Sequence, residues 1–191
     1  MNIEIKRLSP ELADDYVQFF DATPHDDLID EHKCYCVCWC NEEYKDQDFS
    51  TAEKRRQFAY EYVRKNIIQG YLAYYEGKVV GWCNANTKAN CIKCVAWRYL
   101  VDFVPVDEKK VKSIFCFTIA PEMKRKGIAS KLLERVIKDA KEEGFEVVEA
   151  YPYKDNGYLS SDFGGYREMY NKGGFELFID SEKGLVMRKY L

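Results

Sequence analysis

The chain has 191 residues, 47% hydrophobic and 32% charged, a balance that supports one domain with a sizeable core and excludes wholesale disorder. A formal charge of −3 gives no basic stripe of the kind nucleic-acid binding needs, and no apolar run approaches the ~20 residues of a membrane-spanning helix. Residues 1–7 alternate polar and apolar with no long apolar region after them. No signal peptide is therefore read, the expected location is cytoplasmic, and the eight cysteines are expected as mostly reduced thiols.

Residues 2–7 alternate at period two and read as a first strand. Ser9 and Pro10 then give a cap and first turn for a helix over 10–20. Residues 21–49 show no sustained period. Ser50-Thr51-Ala52-Glu53 reads as a capping box that opens a helix running to about Asn66. Runs at 70–75 and 78–84, separated by Glu76-Gly77, read as a hairpin. The stretch 85–110 is irregular and long for a connection, which points to function or to structure of its own.

A strand over 111–119 stops at Pro121. Residues 127–143 form the strongest helical pattern, with Ile128, Leu132, Leu133, Val136, Ile137 and Ala140 on one stripe and Gly144 as the stop. A strand at 146–151, a short helix at 164–172 and a hairpin of 175–180 with 185–190 complete the chain. The order is that of a single mixed α/β domain.

The junction at 119–129 carries the chemistry. A strand ends at a proline, and Lys124, Arg125 and Lys126 lead into Gly127 at the start of the amphipathic helix. Helix starts expose amides without intrahelical partners and the positive end of the macrodipole, so an anion is stabilised there. Gly127 and Ala129 let a phosphate approach the backbone. The alternative is a helix whose first turn happens to be basic, but cations there oppose the dipole at a few tenths of a kcal/mol each. The pattern describes a pyrophosphate cradle.

With Ser130-Lys131-Leu132-Leu133 following it, this junction resembles the acetyl-CoA signature of GNAT acetyltransferases, Arg/Gln-x-x-Gly-x-Gly/Ala. Lys124 stands at the Arg/Gln position, Gly127 at the central glycine and Ala129 at the final small residue. Met169-Tyr170-Asn171-Lys172-Gly173-Gly174-Phe175 resembles the Tyr-x-x-x-Gly-Phe stretch of the same family, in the right order and at a fitting separation. The resemblance is close over 111–191, while the first 75 residues match in the order of elements. One position departs: many members have Asn about seven residues before the tyrosine, and this chain has Phe163.

The resemblance implies a mixed, mostly antiparallel sheet with helices on both faces. Strands 111–119 and 146–151 would splay to admit the pantetheine arm of acetyl-CoA, the co-substrate. Backbone groups of Phe117, Thr118 and Ile119 would bind that arm, and Lys124, Arg125, Lys126, Gly127, Ile128 and Ala129 would hold the pyrophosphate. The implied reaction is direct attack of a primary amine, of a small molecule, on the thioester. Cys116 is then a buried strand residue rather than a nucleophile. Tyr170 is the expected general acid. Glu149 is the candidate base, with water or the neutral fraction of the amine as the alternative.

On the acceptor side, an acidic segment from His25 to His32 precedes Cys34-Tyr35-Cys36-Val37-Cys38-Trp39-Cys40. Asp30, Glu31, Tyr35 and Trp39 suit a cationic amine through charge and cation–π attraction, though a solvated acidic loop would look the same. The thiols of Cys34, Cys36, Cys38 and Cys40, with His32, Cys91 and Cys94, also raise zinc. An extended 34–40 run would spread its ligands over roughly 20 Å, and no glycine or proline bends it, so no metal is expected. Two other readings stay open: an acyl-CoA-binding module without turnover, and a zinc-binding interaction protein. A homodimer is the default oligomer.

Overall fold

The computed structural model describes residues 1–25, 27–40, 47–94, 96–97, 101–106, 108–152 and 163–191. Among these, seven strands form one sheet: β1 (Glu4–Arg7), β2 (Gly70–Tyr75), β3 (Lys78–Thr87), β4 (Val111–Ile119), β5 (Val147–Ala150), β6 (Glu176–Ser181) and β7 (Gly184–Tyr190). Their order is β1-β2-β3-β4-β5-β7-β6, and every neighbouring pair is antiparallel except β4 with β5. The described α-helices are α1 (Ala13–Ala22), α2 (Ala52–Arg64), α3 (Lys88–Cys91), α4 (Ile128–Glu142) and α5 (Arg167–Lys172). This is the mixed, mostly antiparallel α/β sheet expected from the resemblance.

Successive residues of a strand point to opposite faces, and β3 shows what each face carries. A Cβ on Gly81 would meet Ile128 of α4 at 3.0 Å, whereas Trp82 packs edge-on against Tyr16 of α1, with ring centroids 4.9 Å apart. Helices α1 and α4 therefore cover opposite faces. The stripe read on α4 is the buried one, with Ile128, Leu132, Leu133, Val136 and Ala140 inside the core.

Several boundaries differ from the expected ones for local reasons. The cap of α2 is Thr51, whose hydroxyl accepts from the Lys54 amide at 3.2 Å, so the expected Ser50 cap lies one residue too early. Residues 10–12 form a 3-10 turn before α1 begins, and β3 continues past Asn84 to Thr87. Directly after it, Lys88–Cys91 turns into α3 within the stretch read as irregular.

The feature that positions the site is an interruption of β4. Asn84 pairs with Cys116 and Ala85 with Ile114, which leaves Phe115 as an extra residue in β4. A bulge bends its strand and increases local twist. On the other side, β5 pairs with β4 only from Val111 to Ile114, so the two parallel strands part just where the bulge falls. The gap is bridged by Phe163, whose carbonyl accepts from the Phe117 amide at 2.7 Å.

Candidate active site

Two cavities open beside the parted strands. The first is a cleft of about 420 Å³ lined by Phe117, Thr118, Ile119, Lys124, Arg125, Gly127, Ile128 and Ala129. These are the expected cofactor contacts except Lys126, which is not in the lining; its Nζ lies 3.8 Å from the Met123 sulfur. Helix α4 begins with Gly127 in the left-handed region, at φ 78°, with no side-chain cap and no acidic residue in its first turn. A Cβ at Gly127 would meet nothing within 4 Å, so the space before the helix start is open. First-turn amides have no intrahelical acceptor. An anion placed there meets backbone donors, the positive end of the helix dipole and the side chains of Lys124 and Arg125. The Arg125 guanidinium lies 5.2 Å from the Tyr166 ring centroid, on the same cleft wall. These groups fit a pyrophosphate.

The second cavity, of about 480 Å³, is lined by Cys34, Cys36, Cys38, Trp39, Phe115, Cys116, Tyr151, Phe163 and Gly164, among others. Trp39 stacks on Phe115 at 4.4 Å, and Phe115 on Tyr151 at 5.5 Å, with interplanar angles of 21° and 17°. One wall is thus a ladder of three parallel rings. The bulge puts the middle ring there, because Phe115 has no cross-strand partner to fix it in the regular pleat. Phe163 lines both cavities. The position where the resembling family often has asparagine is therefore the wall between them.

The sequence matches the model of the acetyltransferase (GNAT) family over residues 6–159. The chain belongs to the GNAT acetyltransferase family. No curated protein sequence matches it. Among solved structures, a PaiA N-acetyltransferase from Thermoplasma acidophilum in complex with coenzyme A is similar, at 17% identity and TM-score 0.56 over 100% of both chains. A Drosophila melanogaster polyamine N-acetyltransferase that forms N-acetylagmatine is similar at 10% identity and TM-score 0.56, again over 100% of both chains. A ribosomal-protein-alanine N-acetyltransferase from Brucella melitensis shares 18% identity at TM-score 0.55, over 98% of this chain and 99% of that one. The family match takes in the Gly127 junction and ends before Tyr170.

Within this GNAT chain, the other expected site residues fall in different places. Tyr170 is buried on α5, and its hydroxyl donates to the Gly164 carbonyl at 2.8 Å. Burial pushes its phenol well above the ordinary range, so it is protonated at neutral pH. Tyr170 itself lines neither cavity; Gly165, at φ 76°, lines the first, and a Cβ there would sit 3.2 Å from the Tyr170 hydroxyl.

Glu149 does not face the gap as a base would. It is fully buried on β5, a strand covered by neighbours on both edges. Its Oε2 accepts from Arg188 Nε at 2.6 Å, while Oε1 accepts from the Tyr151 hydroxyl at 2.6 Å and lies 2.9 Å from Lys88 Nζ. Both oxygens are occupied, and the carboxylate anchors Tyr151 in the ring ladder instead of receiving a proton.

Asp30 and Glu31 do not form an acidic acceptor wall. Asp30 has a side chain 84% exposed, in an ion pair with Lys33 at 2.9 Å. Glu31 accepts from the Ala52 amide at 2.7 Å, at the start of α2. Tyr35 is buried with its hydroxyl on Asp21 at 2.9 Å. Of the four expected acceptor residues, Trp39 alone lines a cavity.

The 34–40 run is not extended. Tyr35 and Cys36 are both left-handed, at φ 47° and 54°, and the Val37 amide closes the turn onto the Cys34 carbonyl at 3.2 Å. Consecutive left-handed residues without glycine are costly and persist only where the surroundings fix them. Here the Tyr16 hydroxyl donates to the Tyr35 carbonyl at 2.9 Å, and the Trp82 indole donates to the Cys36 sulfur at 3.4 Å. This supplies the bend that the extended reading lacked, and it brings Cys34, Cys36 and Cys38 to one cavity. Among the described residues, however, the side chains grouped closely enough for a metal ion are His25, Asp27 and His32. Phe115 and Tyr151 are cavity-lining residues that no feature of the sequence singled out, while Phe163, noted as a departure from the family pattern, and His25, at the start of the acidic segment, line the first cavity.

Proposed function

We propose that the chain transfers the acetyl group of acetyl-CoA to the primary amine of a small molecule whose body is flat and apolar. The observation that carries this reading is the pair of cavities meeting at Phe163, one fitting a pyrophosphate and the other walled by three stacked rings. The relative solved with coenzyme A supports the choice of cofactor. Lys124, Arg125 and the first-turn amides of α4 hold the pyrophosphate, and Thr118 and Ile119 flank the arm. The amide of Phe117 already serves the Phe163 carbonyl, so it is not the donor the family pattern assigns to the arm.

The bound thioester supplies an activated acetyl group. The chain positions it beside the ring-walled cavity, and the amine nitrogen attacks the carbonyl directly. Tyr170 gives its proton to the departing sulfur, exchanging the neutral Gly164 acceptor for a charged one.

The acetylation of agmatine by the Drosophila enzyme does not transfer to this chain. A dication needs a carboxylate near each charge, and among the described residues Glu182, beside Lys183, is the one carboxylate in the lining of the second cavity. Burying a phenyl-sized group stabilises the complex by about 2 kcal/mol, roughly thirtyfold in kcat/KM. Thiol release from acetyl-CoA is therefore expected to be roughly thirtyfold more efficient with 2-phenylethylamine than with agmatine. Equal or reversed efficiencies overturn the apolar acceptor. Coenzyme A binding without thiol release from any amine makes the protein an acyl-CoA-binding module.

A further inference from the structure

The loop after α1 places two imidazoles on one carboxylate. Asp27 Oδ1 accepts from the Ile29 amide at 3.0 Å and faces His25 Nδ1 at 2.6 Å, while Oδ2 faces His32 Nδ1 at 2.5 Å. The His32 contact, first among several, holds the carboxyl well below the usual carboxylate range. An ionised carboxylate only accepts, so each Nδ1 that bonds to it carries the proton. The neutral ring is then left with its lone pair on Nε2, the tautomer a proton acceptor requires.

The two histidines differ in what they reach. His32 has a side chain 55% exposed and lines neither cavity. His25 has a side chain 22% exposed and lines the cofactor cleft with Thr23, Pro24 and Leu28. Its ring centroid lies 6.0 Å from that of Phe163, the residue shared by the two cavities. His25 thus lies on the first-cavity side of Phe163, the wall the two cavities share, with the Asp27 carboxylate behind it.

We propose that His25, oriented by Asp27, is the general base that deprotonates the acceptor ammonium. This rests on the transferase reading above. His25 Nε2 takes one proton from R–NH3+, becoming imidazolium and freeing the nitrogen lone pair. The C–N bond forms at the carbonyl as the C–S bond breaks, and Tyr170 protonates the sulfur. Of the two protons the nitrogen loses, one leaves through His25 to water. The other restores Tyr170. The net change is ammonium plus thioester to amide, thiol and one released proton. Among the described residues, the charged and titratable groups near His25 are Asp27 and His32 on its own loop, and Lys124, Arg125 and Tyr166 in the lining of the same cleft.

The test compares wild type, His25→Gln and Asp27→Asn with acetyl-CoA and 2-phenylethylamine, from pH 6 to pH 10. His25→Gln is expected to lose roughly 10²–10³-fold in kcat at pH 7, the range of general base catalysis, with KM for acetyl-CoA changed less than threefold. The loss should shrink as pH approaches the pKa of the amine, because the free amine then needs no base. Asp27→Asn should lose roughly tenfold with the same trend, and added imidazole should restore part of the rate of His25→Ala. If wild type turns over and His25→Gln matches it at every pH, the base assignment is wrong and the transferase reading stands. If chelation abolishes wild-type turnover and zinc restores it, the three side chains hold a metal and the base assignment is again wrong. If wild type releases no thiol with any amine, both fall together.

Discussion

Glu149→Ala is expected to lower the unfolding free energy by about 3–5 kcal/mol, and with it the melting temperature by roughly 6–20 °C. The carboxylate is fully buried, and both cations it serves, Arg188 and Lys88, have side chains only 4% exposed. Glu149 and Arg188 are cross-strand partners on β5 and β7, and Lys88 comes from α3, so one carboxylate ties three elements. Removing it leaves two positive charges desolvated near each other, which costs far more than a surface pair would. Lys88 keeps the Pro105 carbonyl at 2.8 Å, which offsets part of the loss. Replacing Glu149 and Arg188 together by apolar residues of similar volume should recover much of the stability that Glu149→Ala loses. Urea denaturation measures both. A loss below about 1 kcal/mol would show that water reaches the cations.

Tyr170→Phe is expected to reduce kcat by roughly 10²-fold or more while KM for acetyl-CoA changes little, because proton transfer to the leaving group is lost and binding surface is kept. The folded state loses one hydrogen bond, to Gly164, at about 1 kcal/mol. The Tyr170 ring packs against Phe175 at 5.2 Å, and the substitution retains that ring. A role confined to packing predicts the reverse pattern, with a lowered melting temperature and an unchanged rate. Turnover at the wild-type rate would remove Tyr170 from the reaction.

How much of this was legible depended on how local each feature is. The cleft at the start of α4 was readable because its parts are contiguous: β4, Pro121, the cations and the Gly127 helix start occupy one short stretch. The strands and α4 were readable by period. The ring-walled cavity was not, since it draws Cys34 and Trp39 from one loop, Phe115 from β4, Tyr151 from the end of β5 and Leu185 from β7. No periodicity relates such positions.

Glu149 misled for a different reason. Alternation along a strand does not reveal that β5 lies between two neighbours with both faces covered. The turn at Tyr35 and Cys36 was hidden because it is made without the glycine that usually marks left-handed backbone. Asp30 and Glu31 had the right charge for an amine, and their charge is used instead on Lys33 and on the start of α2.

Calorimetric titration of acetyl-CoA into wild type and into the double variant Lys124→Glu/Arg125→Glu tests the cofactor cleft most directly. Wild type should bind one equivalent per chain in the micromolar range usual for enzyme substrates, weakening as salt is raised. The double variant should bind at least tenfold more weakly, with its melting temperature in the absence of acetyl-CoA lowered by no more than a few degrees, the loss of the Arg125 contact with Tyr166. Absence of binding by wild type, or equal affinity in the variant, would contradict a pyrophosphate seated at the start of α4.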